Sequence, residues 1–413
     1  MPDIADRQCV AIVDAYVGVR ALVREFLERG FSCLRVQSTS EVPPVYQREL
    51  LDRSDFIADI VHNGDLAATA AAVAAFAPVA LVPGAEIGVE FADLLAERLG
   101  LPGNGTAQSA ARRDKYLMVE AVRAAGLRAA RQLRVTDADE LSAWHREIGG
   151  RVVVKPPRSS GSQGVFFCDT PQESVAAYLS LAGADNIFSQ PNEGAVAQEY
   201  LRGTEYVVNT VSLDGRHQVC EVWQASLVSA NGVLDLCDAY SLIAADSQVA
   251  GPLADYAFGV LDALGIRHGP GHLEIRMACD EPCLLEIGAR IAGGGIPACA
   301  SLAIGESQIE WTVDAYTRPD RFQARAGSSY PMRKYCALAG LISPVEGVLS
   351  EYRGIDEITM LESFYDLATS VKPGQEIRRT VDDLSHPVIV TLLHDFEEVV
   401  QRDLNTIRHL DGV

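Results

Sequence analysis

Between His272 and Arg290 the chain reads His-Leu-Glu-Ile-Arg-Met-Ala-Cys-Asp-Glu-Pro-Cys-Leu-Leu-Glu-Ile-Gly-Ala-Arg. Leu273, Ile275 and Met277 alternate with His272, Glu274 and Arg276, which is the period of a half-buried strand. Asp280-Glu281-Pro282 is turn chemistry, and the alternation resumes from Leu284 to Arg290. If the connection has an odd number of residues, His272, Glu274, Arg276, Glu286 and Arg290 share one face of the hairpin. Two carboxylates and two guanidinium groups on one sheet face suit Mg²⁺ held by Glu274 and Glu286. Arginine is then left to meet phosphoryl or carboxylate oxygens. The plain alternative is a solvated face laced with ion pairs, so the rest of the chain has to decide.

Three further segments bear on that decision. Arg113-Asp-Lys115 opens a helix after Gly103-Asn-Gly-Thr and would aim the Lys115 ammonium at a phosphate, although a lone lysine is ordinarily solvated. Lys155 ends a Val-rich strand just before Pro-Pro-Arg and the loop Ser159-Ser-Gly-Ser-Gln-Gly164. A lysine on a buried strand is costly unless its charge meets a partner, and Ser160, Gly161, Ser162 and Gly164 let backbone N–H groups approach an oxyanion. No Gly-x-x-x-x-Gly-Lys-Ser/Thr is present, so the loop is not a P-loop. Gln198-Glu-Tyr-Leu-Arg-Gly-Thr-Glu205 joins two strands. There an exposed backbone at Glu199, Tyr200 and Leu201 can hydrogen-bond a base edge and Glu205 can bind ribose hydroxyls, although any strand–loop–strand would fit this pattern.

Gly293-Gly-Gly-Ile-Pro-Ala298 fits a dinucleotide fingerprint, but Pro297 and the lack of a following helical pattern argue against that use. Gly294 and Gly295 would offer N–H groups to a substrate carboxylate, a plain turn being the alternative. His272 and Arg276 are substrate-contact candidates on the same face, with a hydrogen-bonded structural histidine as the other reading of His272.

These segments need elements to hold them. Strands at 8–14, 31–36 and 78–82 alternate with helices at 20–29, 65–76 and 89–99, the last closed by Gly100. That alternation predicts a parallel α/β unit over roughly the first 110 residues. A helix follows from Arg113 to Ala125, and from about Arg131 the pattern becomes α+β, with strands at 152–154, 165–167, 196–200, 206–213 and 218–224. Helices are expected at 253–264 and 308–316, short strands at 347–350, 357–361 and 388–393, and a closing helix at 395–407.

A length of 413 residues suits two or three domains. With 48% hydrophobic residues and a mean hydropathy near zero, large cores are affordable. The net charge of −21 argues against nucleic acid or an anionic membrane as partner, but not against ATP in a locally basic pocket. Nine scattered cysteines do not resemble a disulfide framework, and Cys279 and Cys283 read as reduced packing residues rather than zinc ligands. Met1 to Arg7 shows no secretion-signal pattern. The run Leu66 to Val82 is broken by Pro78 and falls short of the roughly 20 residues of a membrane span. A cytoplasmic enzyme is expected.

In order, Asn104 to Lys115, Val-Val-Lys155-Pro, the Ser/Gly loop, Glu-Tyr-Leu-x-Gly-x-Glu205-Tyr, His-Leu-Glu274 and Leu-Leu-Glu286-Ile-Gly-Ala-Arg290 resemble the ATP-grasp superfamily over nearly the whole chain. Pro83-Gly-Ala-Glu-Ile-Gly-Val-Glu90, Leu99-Gly-Leu-Pro-Gly103 and Glu205-Tyr-Val-Val-Asn-Thr-Val-Ser-Leu-Asp-Gly215 look like the bacterial L-amino-acid ligases. One departure is Gly288, where many ATP-grasp enzymes have Asn. It bears on how many metal ions are held.

The resemblance implies an α/β and α+β ATP-grasp fold with an N-terminal Rossmann-like parallel α/β domain. The expected units are residues 1–110, a lid domain at 111–203, and a domain at 204–413 carrying the hairpin and a terminal β-rich part. It implies ATP and one or two Mg²⁺ or Mn²⁺ ions, with Lys115, Lys155, Ser160, Gly161, Ser162, Gly164, Glu199, Tyr200, Leu201 and Glu205 around the nucleotide. Glu274 and Glu286 would be metal ligands, and Arg290 would stabilise the reacting oxygens. The implied reaction joins two small-molecule amino acids through an acyl phosphate, often within antibiotic pathways. The rivals are a ligase for a carrier-bound acyl group or a ring closure, and a non-catalytic ATP-binding module. Oligomeric state is left open, a homodimer included.

Overall fold

The computed structural model describes residues 7–47 and 50–411. Met1 to Asp6, at the start of the stretch read for a secretion signal, lie outside the described residues. Among those described, no helix is long and apolar enough to cross a membrane.

Cys9–Val13 (β1) is buried at every position, as a strand covered on both faces must be. Ser32–Gln37 (β2), Ala58–Val61 (β3) and Ala80–Pro83 (β4) complete a parallel sheet of order β3-β2-β1-β4. Val10 and Ile12 pack on helix Arg20–Glu28 and on the distant helix Gln308–Thr317. Ala11 and Val13 face helices Leu66–Ala74 and Val89–Leu99. The last ends at left-handed Gly100, as the sequence predicts.

Gln132–Val135 (β5), Val152–Lys155 (β6), Phe166–Cys168 (β7) and Ala195–Glu199 (β8) form an antiparallel sheet of order β5-β8-β6-β7. Val152 and Val154 enter a core with helices Ala138–Ile148 and Pro171–Leu181, so Val153 and Lys155 point the other way, into a cavity.

The largest sheet has eight antiparallel strands. It contains Thr204–Leu213 (β9), Arg216–Ala230 (β10), Val233–Leu242 (β11), Gly269–Ala278 (β12), Glu281–Gly288 (β13) and Tyr335–Gly340 (β14). After Gly347–Val348 (β15) come Phe364–Thr369 (β16), Glu376–Ile377 (β17) and Val388–His394 (β18). The order is β13-β12-β9-β10-β11-β14-β18-β16, while β15 pairs with β17. Leu273 and Ile275 pack under helix Ala250–Ala263. Glu274 aligns with Val207 and through it with Trp223 on the opposite face, where helix Ile296–Ile304 covers the apolar part of the row.

Several expectations are corrected. Residues 357–361, rich in β-branched side chains, fall on the short helix Ile355–Thr359 and its end, set by left-handed Gly354 and buried Ile358. The glycine run 293–295 does lead into a helix: Pro297 sits in the first turn, where no intrahelical N–H is needed. Cys299 and Cys336 form a disulfide, because that helix lies on β14 and brings both into one core. Cys283 is free and buried, and Cys279 free and exposed.

Candidate active site

The hairpin reaches its one-faced arrangement by an unexpected route. The turn is Cys279-Asp280, both at positive φ (52° and 62°), so the connection has two residues and Glu281-Pro282 belong to the strand. Pro282 is tolerated because β13 is an edge strand. Ala278 faces Glu281 and Ile275 faces Leu284, a register that would put Leu285 opposite Glu274. A bulge after Leu284 absorbs that residue and sets Glu286 directly across from Glu274.

His272, Glu274, Arg276, Leu285, Glu286 and Arg290 then all line a cavity of about 340 Å³ between the central and large sheets. Its other walls come from Val153, Lys155 and Phe167, from Ser160 to Ser162, from Gln198 to Leu201 with Glu205, and from Gly293, Gly294 and Ile296. The far end is apolar, with Tyr240, Leu338 and Ile389 beside Ile296.

Lys155 is 7% exposed, and its Nζ approaches the Leu285 carbonyl at 3.4 Å, a carbonyl on the bulge. Burial and the neighbouring Lys115 bring its pKa down to about 8. Lys115, in the first turn of helix Lys115–Ala124 behind the N-cap Asp114, bonds the Ser159 carbonyl at 3.0 Å and Glu286 Oε2 at 2.9 Å. It stands behind Glu286 rather than in the cavity wall, so its charge neutralises a carboxylate first.

Ser160, Gly161 and Ser162 lie on the wall, with Gly161 and Ser162 at positive φ. Gly164 does not: its missing Cβ makes room for Pro156 and Leu181, so it serves the turn. The Ser/Gly loop is docked as well as mobile in composition. Ser162 Oγ donates to Asp383 Oδ2 at 2.9 Å, and Leu384 packs against Gly161. Burial and the charge of Glu274 push Asp383 up to about 7.

The Glu199 carboxylate accepts the Arg131 amide N–H at 2.8 Å and the Tyr200 amide bonds the Arg151 carbonyl, so Glu199 to Leu201 contribute a wall braced from behind. Glu205 is pushed up to about 7 by burial and by Glu274, although Arg276 Nη2 donates to it at 2.7 Å. Arg276 also meets Asp235, which accepts the Tyr200 hydroxyl. Its Nη1 and Nη2 are thus committed to carboxylates, while its buried Nε has no partner, so Arg276 is held chiefly by Glu205 and Asp235.

His272 Nδ1 lies 2.8 Å from Asn209 Oδ1, and Asn209 Nδ2 donates to the buried Glu221 at 2.8 Å. His272 Nε2 is 3.7 Å from Glu274. Burial pushes Glu274 up, but His272, Lys115 and Arg290 outweigh it and hold the carboxyl below its usual range. Gly294, at φ 65°, is on the wall; Gly295, at φ 79°, caps helix Ile296–Ile304 and is not.

Arg290 Nε bonds Glu86 Oε2 at 3.0 Å, and Arg113 bonds Glu86 Oε1 at 2.5 Å. Glu86, Arg113, Asn209, Asp235 and Asp383 were not among the residues expected at the site. Glu86 lay within the Pro83–Glu90 string and Arg113 two residues before Lys115, but Asp383 sits in a tail with no local motif.

Among the described residues no three His, Cys, Asp or Glu side chains are gathered to hold a metal ion. Mg²⁺ needs fewer: it takes one or two carboxylates, with nucleotide phosphates and water filling its octahedron. Glu274 and Glu286, opposed hard oxygen donors without a soft ligand beside them, fit that requirement.

An ATP-grasp domain model matches residues 148–298, which include the Ser/Gly loop and the hairpin. A protein named dapdiamide A synthase, from Enterobacter agglomerans, is 29% identical over 422 residues, covering 100% of this chain and 98% of its own length. The crystal structure of an L-amino acid ligase from Bacillus licheniformis superposes with a TM-score of 0.78 at 17% identity, over 98% of each chain. The biotin carboxylase domain of a Hydrogenobacter thermophilus 2-oxoglutarate carboxylase, crystallised as a dimer with MgADP, has a TM-score of 0.64 at 14% identity, over 98% of this chain and 89% of its own. At such identities the structural likenesses are of fold, and that fold has a magnesium–nucleotide binder among its neighbours. Together with the domain matched over residues 148–298, the full-length relative and the carboxylate hairpin facing a lysine on the central sheet, they show that this chain is similar to ATP-grasp ligases.

Proposed function

We propose that the protein is an ATP-dependent carboxylate–amine ligase that joins two amino acids through an acyl phosphate, releasing ADP and phosphate, in the making of a secondary metabolite. The observation that carries this reading is the opposition of Glu274 and Glu286 across the hairpin, with Lys155 facing them from the central sheet and Arg290 on the same cavity wall. Likeness along the whole chain to a dapdiamide synthase supports the substrate class.

In this reading the adenine lies between Val153, Phe167 and the Glu199–Leu201 wall, with Glu205 at the ribose. Lys155 and the loop Ser160–Ser162 hold the triphosphate. A divalent cation on Glu274 and Glu286, Mg²⁺ or Mn²⁺, would supply charge neutralisation at the phosphates. Arg290 orients the substrate carboxylate towards the γ-phosphoryl group and stabilises oxygen charge as the acyl phosphate forms and an amine attacks it. Such transfer depends on positioning and electrostatics more than on covalent help from the protein. The helix beginning at Ile296 presents its N-terminal end near Gly293 and Gly294, a favourable place for a substrate carboxylate. The apolar end at Tyr240, Leu338 and Ile389 suits an uncharged substrate side chain.

The test is mass spectrometry of products formed from ATP, Mg²⁺ and pooled amino acids. Dipeptides formed together with ADP are expected. Amino-acid-independent ATP binding with no condensation product in any pool would overturn the proposal.

A further inference from the structure

We infer that Glu86 is a positioning residue for Arg290, and that residue 288 is glycine because Glu86 occupies the space its side chain would need. The inference rests on the ligase reading only for the reaction it measures; the geometry stands apart from it.

Glu86 begins a short turn after β4, 204 residues from Arg290 in sequence, and is 5% exposed. Each carboxylate oxygen is taken by a different guanidinium, Oε1 by Arg113 and Oε2 by Arg290. Burial pushes this carboxyl up, but Arg113 and Arg290 outweigh it and hold it below the usual range. With both oxygens committed, Glu86 is poorly placed to ligate a cation or a substrate ammonium, and well placed to aim an arginine. Arg290 is also held through Nη1 on the Ile291 carbonyl at 2.9 Å. Two of its three nitrogens are therefore fixed, which sets the plane of a guanidinium that lines the cavity.

Gly288 supplies the independent observation. It closes β13 opposite His272, and its φ is not among the positive values, so the backbone there would accept other residues. The space would not. A Cβ at 288 would lie 2.8 Å from Glu86 Oε2 and 3.1–3.2 Å from Cζ and Nε of Arg290. The position left without a side chain on the metal-bearing strand is filled by a carboxylate from the N-terminal sheet. Arg113 also lies 5.2 Å from the Phe188 ring, so the aim of Arg290 depends on the N-terminal sheet, the helix-start segment and the central region together.

The experiment is a double-mutant cycle on amino-acid-stimulated ADP release, with nucleotide affinity measured by calorimetry. Glu86→Gln keeps the volume and removes the charge. It should lower kcat by about 10- to 100-fold, the scale of a misplaced catalytic group, while ATP affinity stays within severalfold. In an Arg290→Ala background it should do no further harm, since positioning acts through Arg290. Gly288→Ala alone should lower kcat in the same way, and Glu86→Ala/Gly288→Ala should be no worse than Glu86→Ala. Losses that multiply across either pair, or a Gly288→Ala enzyme of normal turnover, would overturn the inference. Crystal structures of Glu86→Gln and Gly288→Ala give a readout independent of turnover: Arg290 should leave its place beside residue 86, and an unmoved Arg290 in both sinks the idea. Should no amino acid stimulate the wild-type enzyme, the ligase reading falls, and the two structures still decide this one.

Discussion

Lys155 permits a prediction whose size follows from its surroundings. Burial, then the charge of Lys115, bring its pKa down to about 8, against the opposing pull of Glu286, Glu274 and Glu205. A lysine whose folded pKa lies below its unfolded one costs stability while it stays charged. That cost is greatest below pH 8 and is relieved as pH rises through 8 towards the unfolded value near 10.5. A triphosphate reverses the preference, since it needs the ammonium. Nucleotide binding should therefore draw a proton onto Lys155 wherever the free protein has lost it. For one such site the apparent Kd scales as 1 + 10^(pH − pKa), so affinity should fall about tenfold, or about 1.4 kcal/mol, between pH 7 and pH 9. At pH 9 each binding event should take up about 0.9 proton.

The assay is calorimetry with a non-hydrolysable ATP analogue, in pairs of buffers that differ in ionisation enthalpy. Glu205 and Asp383, both pushed up to about 7, will also take up protons as phosphate charge arrives. Their share should centre nearer neutrality, and Lys155→Met should abolish the alkaline component while leaving theirs. Affinity that is flat from pH 7 to 9, or an alkaline proton uptake that survives in Lys155→Met, would refute the assignment of Lys155 to the phosphates.

Arg290→Ala should keep ATP affinity within severalfold while turnover drops about 10²- to 10³-fold, and Arg290→Lys should recover little because a point charge lacks the planar fork. Near-normal ADP release with collapsed affinity would instead make Arg290 a nucleotide anchor. Hydrogen exchange across 158–166 should slow on adding ATP–Mg²⁺, and Asp383→Ala should speed it in the free protein by removing the acceptor of Ser162. Exchange unaffected by either change would mean the loop is neither gated nor latched. Activity should vanish on exhaustive EDTA treatment and return with Mg²⁺ or Mn²⁺, since Glu274 and Glu286, the residues proposed to hold the ion, offer hard carboxylate oxygens; return with Zn²⁺ alone would contradict this.

How far the fold could be read in the sequence depended on whether local pattern or distant packing decided each element. Val89–Leu99 carries its own periodicity and its own Gly100 stop, so its bounds were legible to the residue. Val233–Leu242 went unread as a strand because Asp235, Asp238 and Tyr240 interrupt its apolar run. Those residues are affordable there only because the strand borders the cavity, or, for Asp238, because Arg408 pairs with it. Pro297 argued locally against a helix, yet it falls in the one turn where proline removes no hydrogen bond. The nine cysteines gave no sign of the Cys299–Cys336 pair, since nothing local says that helix Ile296–Ile304 will lie on β14.

The same division runs through the site. Glu274, Glu286 and Arg290 were legible because charged residues in strand alternation stand out whatever they face, although their shared face was inferred from an odd connection that does not exist. A two-residue turn followed by a bulge restores the parity, and a bulge leaves no mark in side-chain alternation until the partner strand is known. Glu86, Asn209 and Asp383 were illegible for a different reason: each arrives singly from a remote segment, and each is a type that elsewhere is simply solvated. Their common task is to hold rather than to react. Glu86 fixes Arg290, Asn209 fixes His272, and Asp383 receives the Ser/Gly loop. A group that acts within or just beyond a strand, as Glu274, Glu286 and Arg290 are proposed to do, continues that strand's alternation and so leaves a periodic trace. A group that aims it needs only one contact, which the chain can supply from anywhere its fold brings a carboxylate or amide within about 3 Å.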